Sequence, residues 1–256
     1  MKELDAADPT GGNPFDTVNW GPSRDEGSAM TEFPADPREL LFSGAIAPNV
    51  TVAAGSNTNE GHLFIYPNYP LGLSTKKYEQ FVGEFLSNGQ DYNATFIAAA
   101  IKMYPPHAGD NRDVASRMIG DATFVCGARF AAKAFAEKAP GTSYLYHFAL
   151  KAADGLTVHA AELPFVFDDY NGTRMMPPAR RMAARMGAMW ASLARSAVPD
   201  PAGEWPKYDL STDKDILFDK LEAGDDHFTT ETGRHAALCD FWATGPIPKL
   251  THTIVR

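Results

Sequence analysis

The stretch Val50–Phe64, VTVAAGSNTNEGHLF, begins as a strand and ends in a group of small polar residues. Its β-branched start and its stop at Gly55 are typical of a short strand that is buried on both faces. Glu60 then follows, directly before Gly61. Loops that follow strands carry a large share of the functional residues of α/β proteins, so this carboxylate is the first candidate site residue.

The order of elements along the chain indicates an α/β fold, because strands alternate with helices. The first strand lies within Asn49–Asn57. SYLYHFAL at Ser143–Leu150 is a second clear strand, and DILFD at Asp215–Asp219 is a weaker one. Residues 151–169 are predicted to form a loop. Residues 1–40 are predicted to be irregular, and residues 1–19 are interpreted as the entry segment. Apolar spacing and cap, Pro and Gly signals predict helices over 74–89, 94–106, 120–141, 177–201 and 233–245.

Two of these helices have a predicted core side. In the helix at 120–141 the core side is formed by Phe124, Ala128, Phe130 and Phe135. In the helix at 177–201 it is formed by Met182, Met186, Met189, Trp190 and Leu193, where a core face is favoured over a cofactor site. Three strands cannot form the sheet that all these helices need to cover, so the fold is expected to be incomplete.

Composition and charge exclude several classes of partner. The 256 residues carry a formal net charge of −9, and no basic stripe is available to neutralise phosphates, so nucleic acid is not expected to bind. Arg180, Arg181 and Arg185 are interpreted as a solvated helix face. No apolar run reaches the ~20 residues of a membrane span. The first residues, MKELDAADPTGGNPFD, lack the apolar core of a secretory signal.

The common metal and nucleotide motifs are not found in the sequence. Seven histidines are present, none in HExxH, and there is no CxxC, Walker A loop or GxGxxG after a strand. His159 and Glu162 have the i, i+3 spacing of a metal pair, but with no further ligands nearby no metal is expected. By count alone, Cys126 and Cys239 are interpreted as two buried thiols, with a single bridge as the alternative.

Glu60 and His159 have the chain positions that a hydrolytic triad requires. In an α/β-hydrolase the order is nucleophile, acid, histidine, each on a loop after a strand. Glu60 follows the first strand, and His159 follows SYLYHFAL. A buried carboxylate orients such a histidine, so that the other ring nitrogen takes the proton of a serine. The residues alone leave open a cap or surface acid for Glu60 and a structural loop histidine for His159.

Several motifs, in unbroken order, resemble the C-terminal half of a type-B carboxylesterase, the family that includes the cholinesterases. VAAGSNTNEGHLF is similar to the G-x-N-x-x-E-G motif whose Glu is the triad acid, and WGPSRDEG at Trp20 resembles the segment that leads to it. GDATFVCGARFAAKAFA resembles the G-D-x-x-F-x-C-P helix. SYLYHFAL with GLTVHAAELPFVF resembles the strand and loop of the catalytic histidine. The late helix of the family, with its W-P-x-Y loop, is similar to MGAMWASLARSAVPDPAGEWPKYD. The C-terminal helix that carries the last cysteine is similar to LCDFWATGPIPKL.

The resemblance, which runs from about Trp20 to Leu250, implies part of an α/β-hydrolase that acts on small-molecule carboxylic esters without a cofactor. It places the triad acid on Glu60 and the catalytic base on His159. It also implies a disulfide between Cys126 and Cys239, and therefore an oxidising compartment, secreted or extracellular. Three glycosylation sequons agree with that compartment; they lie at Asn49, Asn93 and Asn171.

The chain departs from the family pattern near the site. Ala160 and Ala161 replace the usual Gly-aromatic pair after the histidine, and Gly127 replaces the Pro after Cys126. These changes make the shape of the pocket hard to predict.

The nucleophile of the family is not found in the sequence. No serine lies in G-x-S-x-G; GPSRD around Ser23 comes nearest but lacks the second glycine. We therefore expect two-thirds of a triad, inactive alone and dependent on a missing N-terminal half. The alternative is a non-catalytic adhesion or interaction protein built on a degenerate esterase fold. Retention of both Glu60 and His159 argues against it, because a binding module needs neither.

Overall fold

A computed structural model describes residues 35, 37–47, 49–87, 92–168, 177–220 and 227–245. Its core is a sheet of four strands in the order β1-β2-β3-β4. β1 pairs with β2 and β2 with β3 in parallel, whereas β3 and β4 are antiparallel. The strands are β1 Val52–Asn57, β2 Ser143–Phe148, β3 Lys214–Phe218 and β4 Thr229–Thr232.

Helices cover both faces of this sheet. They are α1 Pro37–Ser43, α2 His62–Ile65, α3 Thr75–Ser87, α4 Ala94–Met103, α5 Arg112–Gly120, α6 Cys126–Lys138, α7 Leu163–Val166, α8 Pro177–Ser196 and α9 Ala236–Ala243. A π-helical segment, Asp121–Val125, joins α5 directly to α6. None of the helices in the described ranges is long and apolar enough to cross a membrane.

The sequence of strand β2 determines which residues lie on each face of the sheet. Alternate side chains of a strand point to opposite faces of the sheet. Tyr144 and Phe148 are buried in a cluster with the methionines of α8. Leu145 faces the other way and packs with Ala132 and Ala136 of α6. β2 therefore lies between α8 and α6, and both of its faces are apolar, as expected for a parallel strand.

A second apolar cluster lies beside the sheet, among α2, α3, α4, α5 and α9. It includes Cys126 and Cys239, which form a disulfide with a Cα–Cα distance of 5.0 Å. The bridge fixes the start of α6 to α9, and it confirms the pairing that the family resemblance implied.

Most of the predicted elements are confirmed, with shorter bounds. The helices at 74–89, 94–106, 120–141, 177–201 and 233–245 correspond to α3, α4, the π segment with α6, α8 and α9. The core side of α8 is confirmed for Met182, Met186 and Met189, which are buried. Trp190 and Leu193 are half-buried and pack against the same cluster. The core side of α6 was only partly right: Phe130 is buried, but Phe124, Ala128 and Phe135 are half-buried.

Three predictions were wrong. The segment 1–40 was predicted to be irregular, yet α1 begins within it; residues 1–19 lie outside the described residues. The loop predicted at 151–169 contains α7. The sheet has a fourth strand, β4, whose sequence TTET has no apolar residue and forms a strand because it pairs with β3.

Candidate active site

The two loops that carry Glu60 and His159 leave the sheet at the same edge. β1 and β2 are parallel neighbours, so their carboxyl ends lie side by side. Beyond the strands, Asn59 and Val158 form a further parallel bridge. The Asn59 amide donates to the Thr157 carbonyl at 2.8 Å, and the Thr157 amide donates to Asn59 Oδ1 at 2.9 Å. These bonds bring the two loops together over the end of the sheet.

Glu60 and His159 meet in a direct hydrogen bond. His159 Nδ1 lies 2.6 Å from Glu60 Oε2. The other carboxylate oxygen, Oε1, accepts from the Asn57 amide at 2.6 Å. Glu60 is only 5% exposed, whereas the side chain of His159 is 40% exposed. The pair is therefore a buried acid that holds an accessible imidazole.

Two neighbouring aromatic rings pack against the imidazole. Phe124 lies with its ring centroid 4.5 Å from that of His159, and Phe64 lies at 5.5 Å. With Nδ1 facing Glu60, the Nε2 edge has no hydrogen-bond partner among the residues that the structure describes. A histidine held in this way can exchange a proton with a group that approaches Nε2.

Burial raises the pKa of the Glu60 carboxyl above its usual value, and the negative charge of Glu162 adds to this effect. The Asn57 amide and His159 partly offset the rise in this pKa because both stabilise the ionised form. The two partners thus oppose the effect of burial, which favours the protonated acid. Loss of either partner would favour the protonated acid, which cannot stabilise an imidazolium.

Asn57, the last residue of β1, connects the two loops. Its side chain is fully buried, and Nδ2 donates to the Val158 carbonyl at 2.9 Å and to Glu162 Oε2 at 2.5 Å. Its own amide holds Glu60. The sequence analysis did not single out Asn57, although it is the Asn of the G-x-N-x-x-E-G pattern.

A comparison with protein-family models matches residues 1–242 to the carboxylesterase family. The chain belongs to this family. Among the solved structures that match, the crystal structure of Aspergillus niger EstA has 20% sequence identity and a TM-score of 0.65. The match covers 82% of this chain and 42% of the EstA chain. No curated protein matches the chain.

These comparisons confirm the fold class, part of an α/β-hydrolase, and the family. The carboxylesterase chain matches less than half of the EstA chain.

Glycines allow the acid loop of this carboxylesterase chain to pack closely on the helix beneath it. A Cβ atom on Gly61 would lie 2.0 Å from the Ser116 carbonyl oxygen of α5. Gly120 faces the same loop, and a Cβ there would lie 3.5 Å from the Glu60 Cβ. Only glycine at 61 allows this close approach, and it explains why Glu60 is directly followed by a glycine.

Ala160 shows what one departure from the carboxylesterase pattern involves. Its φ is 65°, in the left-handed region that glycine adopts freely. An alanine there costs roughly 1 kcal/mol. The backbone after His159 therefore retains the conformation suited to the glycine of the family.

The predicted glycosylation sites are partly described. Asn49 and Asn93 are exposed, and Asn93 Oδ1 caps α4 by accepting from the Phe96 amide at 3.0 Å. Asn171 lies outside the described residues. The described residues contain no group of three or more His, Cys, Asp or Glu that could hold a metal ion. His159 and Glu162, the pair considered for a metal, bind different partners, Glu60 and Asn57.

A second polar cluster supports the end of β1, and the sequence analysis missed it. His147 Nδ1 lies 2.5 Å from Glu231 Oε1, and its Nε2 lies 2.8 Å from Thr58 Oγ1. Arg234 Nη1 donates to Ser56 Oγ at 2.9 Å. The partners come from β1, β2, β4 and the loop after β4. Because β4 was not predicted, no sequence signal placed these residues near Glu60.

Proposed function

We propose that this chain supplies the acid and the histidine of a serine carboxylic ester hydrolase. The observation that carries the proposal is the 2.6 Å contact between buried Glu60 and accessible His159, with the Nε2 edge of the ring open. Membership of the carboxylesterase family supports it. A non-catalytic interaction protein would have no need of this pair, so the geometry favours the hydrolase.

In the proposed reaction a serine hydroxyl attacks the ester carbonyl while His159 Nε2 takes its proton. The same nitrogen then returns the proton to the leaving alcohol, and water releases the acyl group by the reverse steps. Glu60 holds Nδ1–H throughout and stabilises the imidazolium that forms. In serine proteases, loss of the orienting acid lowers kcat by about 10⁴-fold, which sets the scale expected for Glu60.

We place the nucleophile in polypeptide outside these 256 residues. No serine of the chain has the G-x-S-x-G context, and the match to EstA leaves more than half of that chain uncovered. Ser56, the serine at the end of β1, is buried and accepts a hydrogen bond from Arg234. It is part of the support beneath Glu60 and has no contact with His159 in the described structure.

The free side of β1 supports the same proposal. Within the described residues β1 has one neighbour, β2, and forms an edge of the sheet. Its sequence, VAAGSN, contains none of the charges or prolines that protect natural edge strands. Parallel strands are usually covered on both sides, so a further strand beside β1 would complete the arrangement.

We also propose a secreted or extracellular location. The disulfide between Cys126 and Cys239 requires an oxidising compartment to form and persist. Asn49 and Asn93 are exposed sequon asparagines, accessible to glycosylation. Treatment of protein secreted by its source cells with an N-glycosidase would test this location. We expect the treated protein to lose a mass that corresponds to glycans.

The catalytic proposal is tested by hydrolysis of a simple aryl ester. We expect no turnover by the 256-residue chain, because the nucleophile is lacking. We expect turnover by a longer polypeptide that includes the coding sequence in frame upstream of Met1. His159→Ala and Glu60→Gln in that polypeptide should abolish or greatly reduce it, whereas His107→Ala, at an exposed histidine, should not.

Two results would overturn the proposal. One is turnover by the 256-residue chain that His159→Ala abolishes, since the nucleophile would then lie within the chain. The other is an upstream reading frame without any G-x-S-x-G.

A further inference from the structure

A small cavity lies between the sheet and the helix formed by the π segment and α6. Its volume is about 10 Å³, close to the space that a single water molecule occupies. The wall is mostly polar and includes two arginines and a carboxyl group. The lining residues are Ser56, Val125, Arg129, Leu145, Tyr146, Asp215 and Arg234.

Two of the lining side chains are buried with unused hydrogen-bonding atoms. Arg129 is 2% exposed, and its Nη2 donates to Asp213 Oδ2 at 2.6 Å, but Nε and Nη1 have no partner. Asp215 is also 2% exposed, and its Oδ1 has no partner. Buried polar atoms are nearly always paired in folded proteins, with ordered water as a frequent partner. Donors and an acceptor without partners thus line one cavity.

The charges around the cavity favour a neutral ligand. Arg129 is paired with Asp213, and Arg234 lies 3.8 Å from Glu231. Neither guanidinium is left to attract an anion, and two guanidiniums in the wall oppose a cation. A water molecule can accept from Arg129 and donate to Asp215 Oδ1. We propose that this cavity is a binding site for one ordered water molecule, which joins Arg129 of α6 to Asp215 of β3.

The ionisation behaviour of Asp215 agrees with this site. Burial raises the pKa of Asp215 to about 7, and the neighbouring Glu231 adds to the rise, while Arg234 and Arg129 oppose it. The carboxyl therefore changes protonation near neutral pH. Water suits both forms because it can donate to a carboxylate and accept from a carboxylic acid.

The water site lies directly beneath the strand end that carries Glu60. Arg234, in the wall of the cavity, donates to Ser56 Oγ at 2.9 Å, and its Nη2 lies 3.5 Å from the Asn57 carbonyl oxygen. The Asn57 amide in turn holds Glu60. The water site therefore adjoins the residues that support the acid loop. This site is independent of where the nucleophile comes from.

A high-resolution crystal structure of the chain, grown once in chloride and once in bromide, tests the site directly. The expected result is one water peak within hydrogen-bonding distance of an Arg129 nitrogen and of Asp215 Oδ1, in both crystals. An anomalous bromide peak in the cavity would show an anion site and overturn the proposal. So would an empty cavity, or a direct bond between Arg129 and Asp215.

A solution measurement provides an independent test. Oxygen-17 relaxation dispersion detects water molecules that stay inside a protein for a long time. The variant Val125→Ile adds one methylene group at the cavity wall and should leave no room for the water. We expect this variant to lose the signal of one long-lived water. The matched control, Val114→Ile, makes the same change at a buried position away from the cavity and should lose none. Equal signals from the native chain and Val125→Ile would contradict the proposal.

Discussion

Each carboxylate oxygen of Glu60 has one partner, and the two partners come from different parts of the chain. Oε1 binds the amide of Asn57 at the end of β1, and Oε2 binds His159, which follows β2. Charge-assisted bonds of this kind are about twice as strong as neutral ones. The acid therefore fixes the distance between the loops as well as the orientation of the imidazole.

The titration of Glu60 tests this arrangement. Because burial raises its pKa, the folded chain binds a proton at Glu60 more readily than the unfolded chain. The contribution of Glu60 to the free energy of unfolding should therefore fall as pH rises from about 4.5 through the folded-state pKa. His159→Leu removes two interactions that lower this pKa, so the midpoint should move upward. Carbon-13 NMR of the labelled Glu carboxyl groups gives the midpoint directly.

The control for this titration is His107→Leu, at an exposed histidine that pairs with Asp113. It should leave the Glu60 midpoint unchanged. A midpoint that falls, or does not move, in His159→Leu would show that His159 does not stabilise the ionised acid.

At the residue scale, the sequence predicted which side chains meet but not what holds them. Glu60 and His159 could be found because each follows a recognisable strand, and parallel neighbours end at the same edge. The contacts of Asn57 depend on where its side chain points once β1 and β2 are in register, and this is set by tertiary packing. Arg234 and His147 depend on β4, whose polar sequence carries no strand signal.

At the scale of elements, the helix from α5 to α6 is the platform for the acid loop. Its π segment has a bond from the Cys126 amide to the Asp121 carbonyl, five residues back, where an α-helix would use four. The wider turn shifts the faces of the helix before and after it. Asp121 can then bind His235 Nδ1 at 2.5 Å while Cys126 faces Cys239.

The predicted core side of α6 combines residues that do not share one face of a helix. At roughly 100° per residue, Phe135 points in nearly the same direction as Ala128, whereas Phe130 points to the opposite side. In the structure the buried positions of α6 are Cys126, Arg129, Phe130, Ala132, Ala134 and Ala136. They come from more than one face, because α6 packs on the cluster around the disulfide as well as on β2. Sequence periodicity assumes a single apolar face, and so it could not predict this set.

Gly61→Ala tests the contact between the acid loop and α5. The new Cβ would overlap the Ser116 carbonyl oxygen, and backbone cannot move aside as a side chain can. We expect the free energy of unfolding to fall by roughly 1–3 kcal/mol, measured by urea denaturation. We also expect the contact of Glu60 with His159 to be lost.

The matched control is Gly83→Ala in α3. A Cβ on Gly83 would meet nothing within 4 Å, and alanine is the better helix former, so stability should rise by roughly 0.5–1 kcal/mol. Equal effects of the two substitutions would show that the acid loop does not pack closely on α5.

At the scale of the whole molecule, one covalent bond closes most of the described fold. Cys126 and Cys239 are separated by 113 residues, and the loop between them contains β2, β3 and β4. Three of the four strands thus lie inside a loop that the bridge closes. The fourth, β1, precedes it.

Removal of this bridge should have a large effect on stability. By the chain-entropy model, closing a loop of this length contributes roughly 5 kcal/mol. Cys126→Ala combined with Cys239→Ala should therefore lower the midpoint of urea unfolding strongly. Reductant should shift the native chain in the same direction and leave the double variant unchanged. An unchanged midpoint in the double variant would contradict this account.

The order of strands across the sheet is also their order along the chain. During synthesis, each strand therefore leaves the ribosome after the strand that it will pair with, so β2 meets β1 and β3 meets β2. Cys239 leaves after all four described strands have emerged. The disulfide can therefore close only when the whole described sheet is available to fold, which makes it a late event in biogenesis.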